Sequence, residues 1–395
     1  MSRGTERKFL LAKAPAWLAG RPGELIEQAY LVRVRRRVSA GGGLQAEVDV
    51  YEGEFEGLVV ATVRFDSEEA AREFQPPGWL GREVTGEGGY PEPDAPRASR
   101  AYRLERKEGV AEGLRRIAGG RADHALAQLR SAAGGDLAAA VHAARKDMKK
   151  LRAVLRLVRA ELGEDVYRAE NERYRDASRL LSHSRDAEVK LATLTALGEC
   201  FGAELPAEPA RSWREELEAE RDEVVSASGG EVGARIEQAV AAIAAGREEI
   251  AGWPIEGSWK LVGRGLKRGY RQGRRELKRT RSEPGAEQVH QWRKRVKDHW
   301  YQLRVLAPAW PDLLGESARQ AHRLAELLGD HHDLAVLAED LADRSGLERR
   351  EELAAAIERR QGELLAEAFA LGARLYAEKP SAFERRLRAY WKAWR

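Results

Sequence analysis

Two segments of the chain carry histidine, arginine and lysine at the spacing of one helix face. Residues 141–156 read VHAARKDMKKLRAVLR and residues 289–304 read VHQWRKRVKDHWYQLR, with seven identities in sixteen ungapped positions. On a helix, steps of three and four residues keep side chains on one face. The first face comprises His142, Arg145, Lys149, Arg152 and Arg156, and the second comprises His290, Arg293, Lys294, Lys297 and Arg304. These side chains donate hydrogen bonds and carry positive charge, which suits them to binding an anion.

The basic faces are segregated from acidic residues. Like charges four residues apart on a helix repel by roughly a few tenths of a kcal/mol per pair, and an acidic neighbouring helix is the ordinary way to compensate. However, residues 142–159 hold seven basic residues and one acid, Asp147, and residues 264–281 hold nine basic residues and one acid, Glu276. The acids concentrate elsewhere, as in residues 214–223. Although the net charge is only +4, this segregation predicts a polyanionic partner.

The basic faces lie in a long helical region. From about residue 102 to residue 395, apolar residues recur at three- and four-residue spacing in a background of alanine, glutamate and arginine, which predicts helices. Glycine and proline interrupt this pattern, which favours a bundle of ordinary helices over a long coiled coil. The expected breaks fall at residues 133–135, 206–209, 228–230, 253–254, 284–285 and 308–311.

A second pair of similar segments follows the basic faces. Asp186 lies 44 residues after His142, and Asp333 lies 43 residues after His290. Two correspondences at nearly one offset predict a tandem duplication. An aspartate near a helix start would cap backbone N–H groups or orient a basic side chain. A metal site at His331-His332-Asp333 is disfavoured, because adjacent helical residues point about 100° apart.

Residues 1–90 differ from the rest of the chain. Short alternating or β-branched runs at residues 9–11, 30–35, 45–51 and 57–65 predict strands, and Ser67 should cap a short helix. Residues 91–104 begin with Pro-Glu-Pro-Asp-Ala-Pro, which predicts a linker. Cys200 is the only cysteine, and no apolar run reaches the ~20 residues of a membrane span. We therefore expect a cytoplasmic protein without a membrane partner; its oligomeric state is not indicated.

The repeated H-x-x-R-K-x-x-K pattern, followed by an R-D or H-D element, resembles the CHAD domain, the conserved histidine α-helical domain. The resemblance covers residues 105–395. It implies a mainly α fold of two tandem-repeated four-helix bundles, with halves at about 105–245 and 246–395. It also implies a central basic groove or pore that holds inorganic polyphosphate and, in some members, association with polyphosphate granules. The residues expected to contact polyphosphate are His142, Arg145, Lys146, Lys149, Arg152, Arg156, His290, Arg293, Lys294, Lys297 and Arg304, with Arg264, Lys267, Arg268 and Arg271 from the basic stretch.

Residues 1–90 resemble a shortened CYTH domain, the triphosphate tunnel fold, which implies a small β-rich (α+β) module derived from that barrel. Gly4-Thr-Glu6-Arg-Lys8 matches the E-x-E-x-K start of the family, except that Gly4 replaces the first glutamate. Ala61-Thr-Val-Arg-Phe65 stands where the family carries A-E-V-E-F, so both metal-binding acids are replaced. The surviving candidates are Glu6, Lys8, Arg33, Arg35 and Asp49. Only Glu6 and Asp49 among them are carboxylates, which is too few to hold Mg²⁺ or Mn²⁺. An eight-stranded tunnel also does not fit in this span.

These observations favour a polyphosphate-binding protein with no catalytic residues and no cofactor. A metal-dependent triphosphatase fused to a polyphosphate-binding domain is the first alternative; it would need Mg²⁺ or Mn²⁺, and the lost acids argue against it. A nucleic-acid-binding protein is the second, because basic helices suit phosphates of any kind. Aromatic residues that stack on bases are missing from residues 142–159, and Trp292, Trp300 and Tyr301 are expected in the core. Neighbouring cations should hold the pKa of His142 and His290 below the ordinary value until an anion binds.

Overall fold

The chain divides into two compact units, residues 1–101 and residues 102–395. The computed structural model describes residues 5–11, 15, 18, 24–28, 31–41, 43–52, 59–83, 85, 102–131, 137–181, 186–227, 231–344 and 346–395. Most of the predicted linker, residues 91–101, lies outside this set. Tyr102 and Leu104, also within that predicted linker, are buried in the helical core, which therefore starts at Tyr102.

Among the described residues of the first unit, six strands form one antiparallel sheet in the order β2-β3-β4-β5-β1-β6. The strands are β1 (Thr5–Leu11), β2 (Glu24–Gln28), β3 (Leu31–Gly41), β4 (Leu44–Glu52), β5 (Val59–Phe65) and β6 (Arg82–Glu83). Helix α1 (Glu68–Glu73) starts where predicted, because Ser67 Oγ accepts a hydrogen bond from the Ala70 amide at 3.1 Å. The small sheet is the predicted β-rich module.

The second unit is helical, as predicted. Its helices are α2 (Val110–Ser131), α3 (Leu137–Leu162), α4 (Glu164–Leu180), α5 (Asp186–Phe201), α6 (Ala207–Ala227), α7 (Glu231–Glu249), α8 (Trp259–Ser282), α9 (Ala286–Leu306), α10 (Pro311–Asp343), α11 (Arg350–Leu375) and α12 (Pro380–Trp394). The predicted breaks at residues 206–209, 253–254, 284–285 and 308–311 fall at or between helix ends. Those at 133–135 and 228–230 lie outside the described residues.

The helices pack in two rings of four. Helices α2, α3, α4 and α7 each contact two others of their set, and α8, α9, α10 and α11 do the same. Helix α3 joins the rings, because it packs against both α8 and α9. Helices α5 and α6 lie outside the first ring, where α5 packs against α10. That the two halves arose by duplication remains a prediction.

Glycines on α8 permit its close approach to neighbouring helices. A Cβ atom at Gly265 would lie 1.9 Å from the Leu157 carbonyl oxygen of α3. Four and eight residues further on, a Cβ atom at Gly269 would lie 2.6 Å from Gln302 of α9, and one at Gly273 would lie 2.3 Å from Tyr376. These glycines share one face of α8. Gly265 allows α8 to lie close to α3, the helix that carries the first basic face, whereas Gly269 and Gly273 make room for Gln302 and Tyr376.

The element that follows each basic face differs between the two halves. Asp186 is the first residue of α5, as expected for an acid near a helix start, although its side chain lies outside the described set. Asp333 lies in the interior of α10, which runs unbroken from Pro311 to Asp343. The expectation of a helix start at Asp333 is therefore wrong. The stretch around Asp333 contains no proline and one glycine, Gly329, so nothing in it ends the helix.

Candidate functional site: a cationic seam between two helices

The basic face of α3 turns away from the core. Met148, Leu151 and Leu155 are fully buried on the opposite side of the helix. Lys149 is exposed, and the other predicted binding residues of this helix are partly exposed: His142, Arg145, Lys146, Arg152 and Arg156. The helix thus separates apolar from basic side chains, as its spacing predicts.

The basic face of α9 is exposed in a similar way. Lys294 is exposed, and His290, Arg293, Lys297 and Arg304 are partly exposed. As expected, the aromatic residues of this helix are buried: Trp292, Trp300 and Tyr301. The His290 ring lies 4.6 Å from the His332 ring of α10, measured between centroids. Burial, and then the charges of Lys294, His332 and Arg293, lower the pKa of His290 to about 4, so this histidine is neutral at pH 7.

Helices α3 and α9 pack against each other, and Arg152 and Arg156 of α3 lie close to Lys294 of α9. We name this surface the cationic seam and define it by Arg152, Arg156, Lys294, Arg295 and Asp298. Arg156 Nη1 donates to Asp298 Oδ1 at 2.9 Å, and Arg295 Nη1 donates to Asp298 Oδ2 at 3.1 Å. Burial, followed by the charge of Arg156, lowers the pKa of Arg152 to about 10. Burial also lowers the pKa of Lys294, and Arg295, Arg152 and Arg156 add to this effect.

Burial and the neighbouring positive charges both disfavour the charged forms of Arg152 and Lys294. An anion placed between these cations would relieve their repulsion. Sequence reasoning found Arg152, Arg156 and Lys294 but missed Arg295 and Asp298. Arg295 follows the predicted Lys294 directly, whereas the role of Asp298 depends on a contact between residues 142 positions apart.

Arg304, the last predicted residue of α9, lies in different surroundings. Its guanidinium group is 5.5 Å from the centroid of the Tyr102 ring and 5.7 Å from that of Trp300. The buried Lys150 ammonium is 6.0 Å from the same Tyr102 ring. Burial, opposed by Asp147 and reinforced by the charge of Arg304, lowers the pKa of Lys150 to about 7.

The same two positions of the repeat therefore interact at two places between α3 and α9. In the repeat, Arg156 aligns with Arg304, and Lys150 aligns with Asp298. Arg156 of α3 bonds to Asp298 of α9, while Arg304 of α9 acts electrostatically on Lys150 of α3. The two helices thus cross with reciprocal contacts, and the residue types make one crossing attractive and the other repulsive.

Asp147 does not neutralise the exposed basic face. Its side chain is 2% exposed, and it accepts a hydrogen bond from Arg121 Nη1 at 3.2 Å and lies 2.5 Å from His124 Nδ1, both on α2. Burial alone would raise the pKa of Asp147, but the His124 hydrogen bond and the charges of Lys150 and Arg121 lower it overall. Sequence reasoning missed Arg121 and His124, because no spacing links α2 to α3.

Helix α8 contributes one of its four predicted residues to the same region. Arg268 is partly buried and donates to the carbonyl oxygen of Arg156. Burial, and then the charge of Arg159, lowers the pKa of Arg268. Arg264 instead pairs with Glu161 near the end of α3 at 3.2 Å. The other two residues, Lys267 and Arg271, are partly and fully exposed respectively.

In the first unit, the predicted acids are paired with arginines. Arg35 donates two hydrogen bonds of 2.7 Å to Asp49, and Glu6 lies 3.1 Å from Lys8. Arg33 belongs to β3. Sequence reasoning missed Glu47, which lies 3.1 Å from Arg35 and 3.0 Å from Arg64 and has a lowered pKa, since these cations outweigh its burial. Residues two apart on a strand lie on the same face of the sheet, so the spacing of Glu47 and Asp49 on β4 could have indicated that Glu47 lies beside Asp49.

Glu47 and Asp49 are paired with arginines and Glu6 with Lys8, so these three carboxylates do not fit a tunnel-type metal site. Across all the described ranges, no group of three or more histidine, cysteine, aspartate or glutamate residues could hold a metal ion. Within the same ranges, no helix is both long and apolar enough to cross a membrane.

Comparison with known proteins gives a family and a fold. Residues 116–342 match the family model of the CHAD domain. The crystal structure of the CHAD domain from the plant Ricinus communis aligns with 72% of this chain and 98% of its own, with a TM-score of 0.51 and 18% identity, which shows a shared fold. The six-stranded unit has a weaker match. An inorganic triphosphatase of Acetivibrio thermocellus is 48% identical over 48 residues in the N-terminal region.

That match covers 12% of this chain and 30% of the triphosphatase, so the chain spans under a third of that enzyme. The alignment with a solved structure of an inorganic triphosphatase, 24% identical, covers 23% of this chain and 92% of the triphosphatase chain. Its TM-score of 0.19 supports no likeness in fold. The family model, by contrast, covers more than half of the chain and includes both basic faces. The chain belongs to the CHAD domain family.

Proposed function

We propose that this chain binds inorganic polyphosphate along the basic faces of α3 and α9, with the cationic seam at the centre of the site. The observation that carries the proposal is the packing of α3 against α9, which brings Arg152 and Arg156 close enough to Lys294 to lower its pKa. A linear polyanion matches this array, because it offers an acceptor oxygen and a negative charge at every phosphate. Association with polyphosphate granules belongs to the same proposal.

The residues proposed to bind phosphate are those that the two faces expose. They are His142, Arg145, Lys146, Lys149, Arg152 and Arg156 on α3, and His290, Arg293, Lys294 and Lys297 on α9, with Arg295 and Arg268 added by the structure. Arg304 is proposed to act at the edge of the site, because its guanidinium group lies against two aromatic rings. Arg264, Lys267 and Arg271 extend the basic surface along α8.

Titration with long-chain polyphosphate at several salt concentrations tests the proposal. Binding should weaken steeply with salt, because each neutralised phosphate releases counterions. Replacing Arg145 and Lys149 with glutamine, or Arg293 and Lys297, should each weaken binding by about 10- to 100-fold and reduce the log–log salt slope by about two. Helicity should be unchanged, since these side chains lie outside the core.

The matched control replaces Arg211 and Arg221 with glutamine. Arg211 is exposed and Arg221 is partly exposed on α6, and each pairs with an acid of the same helix, so the same change in net charge should have little effect. Equal losses in the control and the test variants would contradict the assigned site. If duplex DNA displaces polyphosphate as well as unlabelled polyphosphate does at equal phosphate concentration, nucleic-acid binding becomes the favoured function.

The short likeness to an inorganic triphosphatase supports hydrolysis as a second candidate function. Because Glu47 and Asp49 pair with arginines, we expect no release of phosphate from tripolyphosphate with Mg²⁺ or Mn²⁺ above a control without protein. The measurement is a phosphate-release assay on the whole chain. Release that is lost on replacing Glu47 with glutamine would show that the first unit retains hydrolase chemistry.

A further inference from the structure

The cationic seam contains a carboxylate of its own. Asp298 is 8% exposed and is the one acid in residues 289–304. One of its oxygens accepts a hydrogen bond from Arg156 on α3 at 2.9 Å, and the other accepts from Arg295 on α9 at 3.1 Å. Both oxygens therefore take part in ion pairs, and the pairs come from two different helices.

Two guanidinium groups that converge on a pair of oxygens form an arrangement that proteins also use to hold a phosphoryl group. The Asp298 carboxylate presents the same kind of acceptor with a single negative charge. In the unliganded protein, it occupies the position that Arg156 and Arg295 would otherwise offer to a phosphate.

The Asp298 carboxylate lines a cleft together with Arg156, Arg268 and Arg295. Its two oxygens already accept the hydrogen bonds that Arg156 and Arg295 would donate to a phosphate there. A phosphate reaches both arginines only after the carboxylate moves away, and until then the two negative charges repel each other.

We propose that Asp298 is an internal competitor of phosphate, whose carboxylate fills one phosphate position of the cationic seam and weakens polyphosphate binding. This inference rests on the proposed function, because it assigns a role within the same site. A ligand held at several other points displaces the carboxylate more readily than a single phosphate does, because its remaining groups are already bound.

The test replaces Asp298 with asparagine, which keeps the size of the side chain and removes its charge. The affinity for long-chain polyphosphate should increase about tenfold, because a repulsion at close range is removed. The log–log salt slope should become steeper by about one, since an arginine released from Asp298 now neutralises a phosphate. A residue with a merely structural role would not change this slope. In an Arg156→Gln background, most of the gain should disappear.

Asp222→Asn is the matched control. It removes the same charge from an exposed pair with Arg221 on α6 and should change neither affinity nor slope. Unfolding temperatures provide a second measurement: Asp298→Asn should unfold earlier without ligand, and polyphosphate should raise its unfolding temperature more than that of the unchanged protein. If Asp298→Asn does not fold, Asp298→Ser serves with the same expectations.

Affinity that is equal or lower in the folded variant, with an unchanged salt slope, overturns the proposal and makes Asp298 a residue that positions the two arginines. If the unchanged protein fails to bind polyphosphate, the proposed function fails instead. The two failures are therefore distinguishable.

Discussion

At the scale of single residues, we expect His290 to make the proposed binding depend on pH. Its ring lies against His332 and close to Lys294 and Arg293, with Glu287 as the nearby acid, and its pKa is about 4. A bound polyanion reverses the sign of the local potential and raises this pKa. Binding then takes up a proton, whereas arginines keep their charge between about pH 5 and 8. The buried Lys150, with its pKa of about 7, also titrates in this range, so the contribution of His290 is tested by its own replacement.

We therefore expect the affinity for polyphosphate to increase as the pH falls from 7 and to level off below about 4, where the unliganded His290 is already protonated. The gain is at most about tenfold per pH unit for one histidine. Replacing His290 with glutamine should retain most of the binding at pH 7 and reduce the pH dependence, measured by titration from pH 7 to 5. His322→Gln, on α10 beside Trp300, should keep the full dependence. The same dependence in both variants would remove His290 from the site.

At the scale of elements, the features that follow from local sequence patterns were predicted, and those that depend on contacts between helices were not. The basic and apolar sides of α3 and α9 follow from a spacing that any helix imposes. The continuity of α10 did not follow from the alignment of Asp333 with Asp186, because similar residues can lie at a helix start in one copy and inside a helix in the other. Asp298 and Arg121 could not be assigned, since their partners depend on how α3 packs against α9 and α2.

The glycine face of α8 gives the prediction at this scale. Replacing Gly265 with alanine places a methyl group against the Leu157 carbonyl oxygen, where only backbone movement makes room. The helix gains about 1 kcal/mol in intrinsic propensity, but the overpacking costs more, so we expect a net loss of roughly 1–3 kcal/mol in the free energy of unfolding. Denaturant-induced unfolding followed by circular dichroism measures this loss.

Gly362→Ala on α11 is the control, because a Cβ atom there meets nothing within 4 Å. It should be neutral or stabilising by up to about 1 kcal/mol. A Gly265→Ala protein as stable as this control would show that α3 and α8 can separate without cost.

At the scale of the whole helical unit, a second carboxylate, partly buried, joins helices from both halves. Asp340 of α10 lies 2.5 Å from Lys190 Nζ of α5, 2.9 Å from the Trp213 indole nitrogen of α6, and 2.7 Å from Arg344 Nε. Arg344 also bonds to Glu220 at 2.6 Å. Although burial opposes ionisation, these hydrogen bonds lower the pKa of Asp340 to about 2.

Replacing Asp340 with asparagine should lower the free energy of unfolding by about 1–3 kcal/mol at pH 7, because it leaves two partly buried cations with a weaker partner. A carboxylate with a depressed pKa contributes stability above its ordinary value of about 4 and loses it as the pH falls toward 2. The difference in unfolding temperature between the two proteins should therefore shrink between pH 5 and 2. Asp222→Asn, with its exposed pair, should show no such difference at any pH. A constant difference would mean that packing, and not charge, holds α5 and α6 to α10.

The crossing of α3 and α9 has a consequence for symmetry. Two identical chains related by a twofold axis carry the same residue on both sides, so a dimer of one half would place two lysines or two aspartates at the positions of Lys150 and Asp298. A single polypeptide has no such restriction, and this one holds a lysine on one side and an aspartate on the other. A linear polyphosphate chain has the same structure from either end. Any difference in affinity between the two ends of the site therefore originates in the protein, at the aligned positions where the two helices differ, and Lys150 and Asp298 are one such pair.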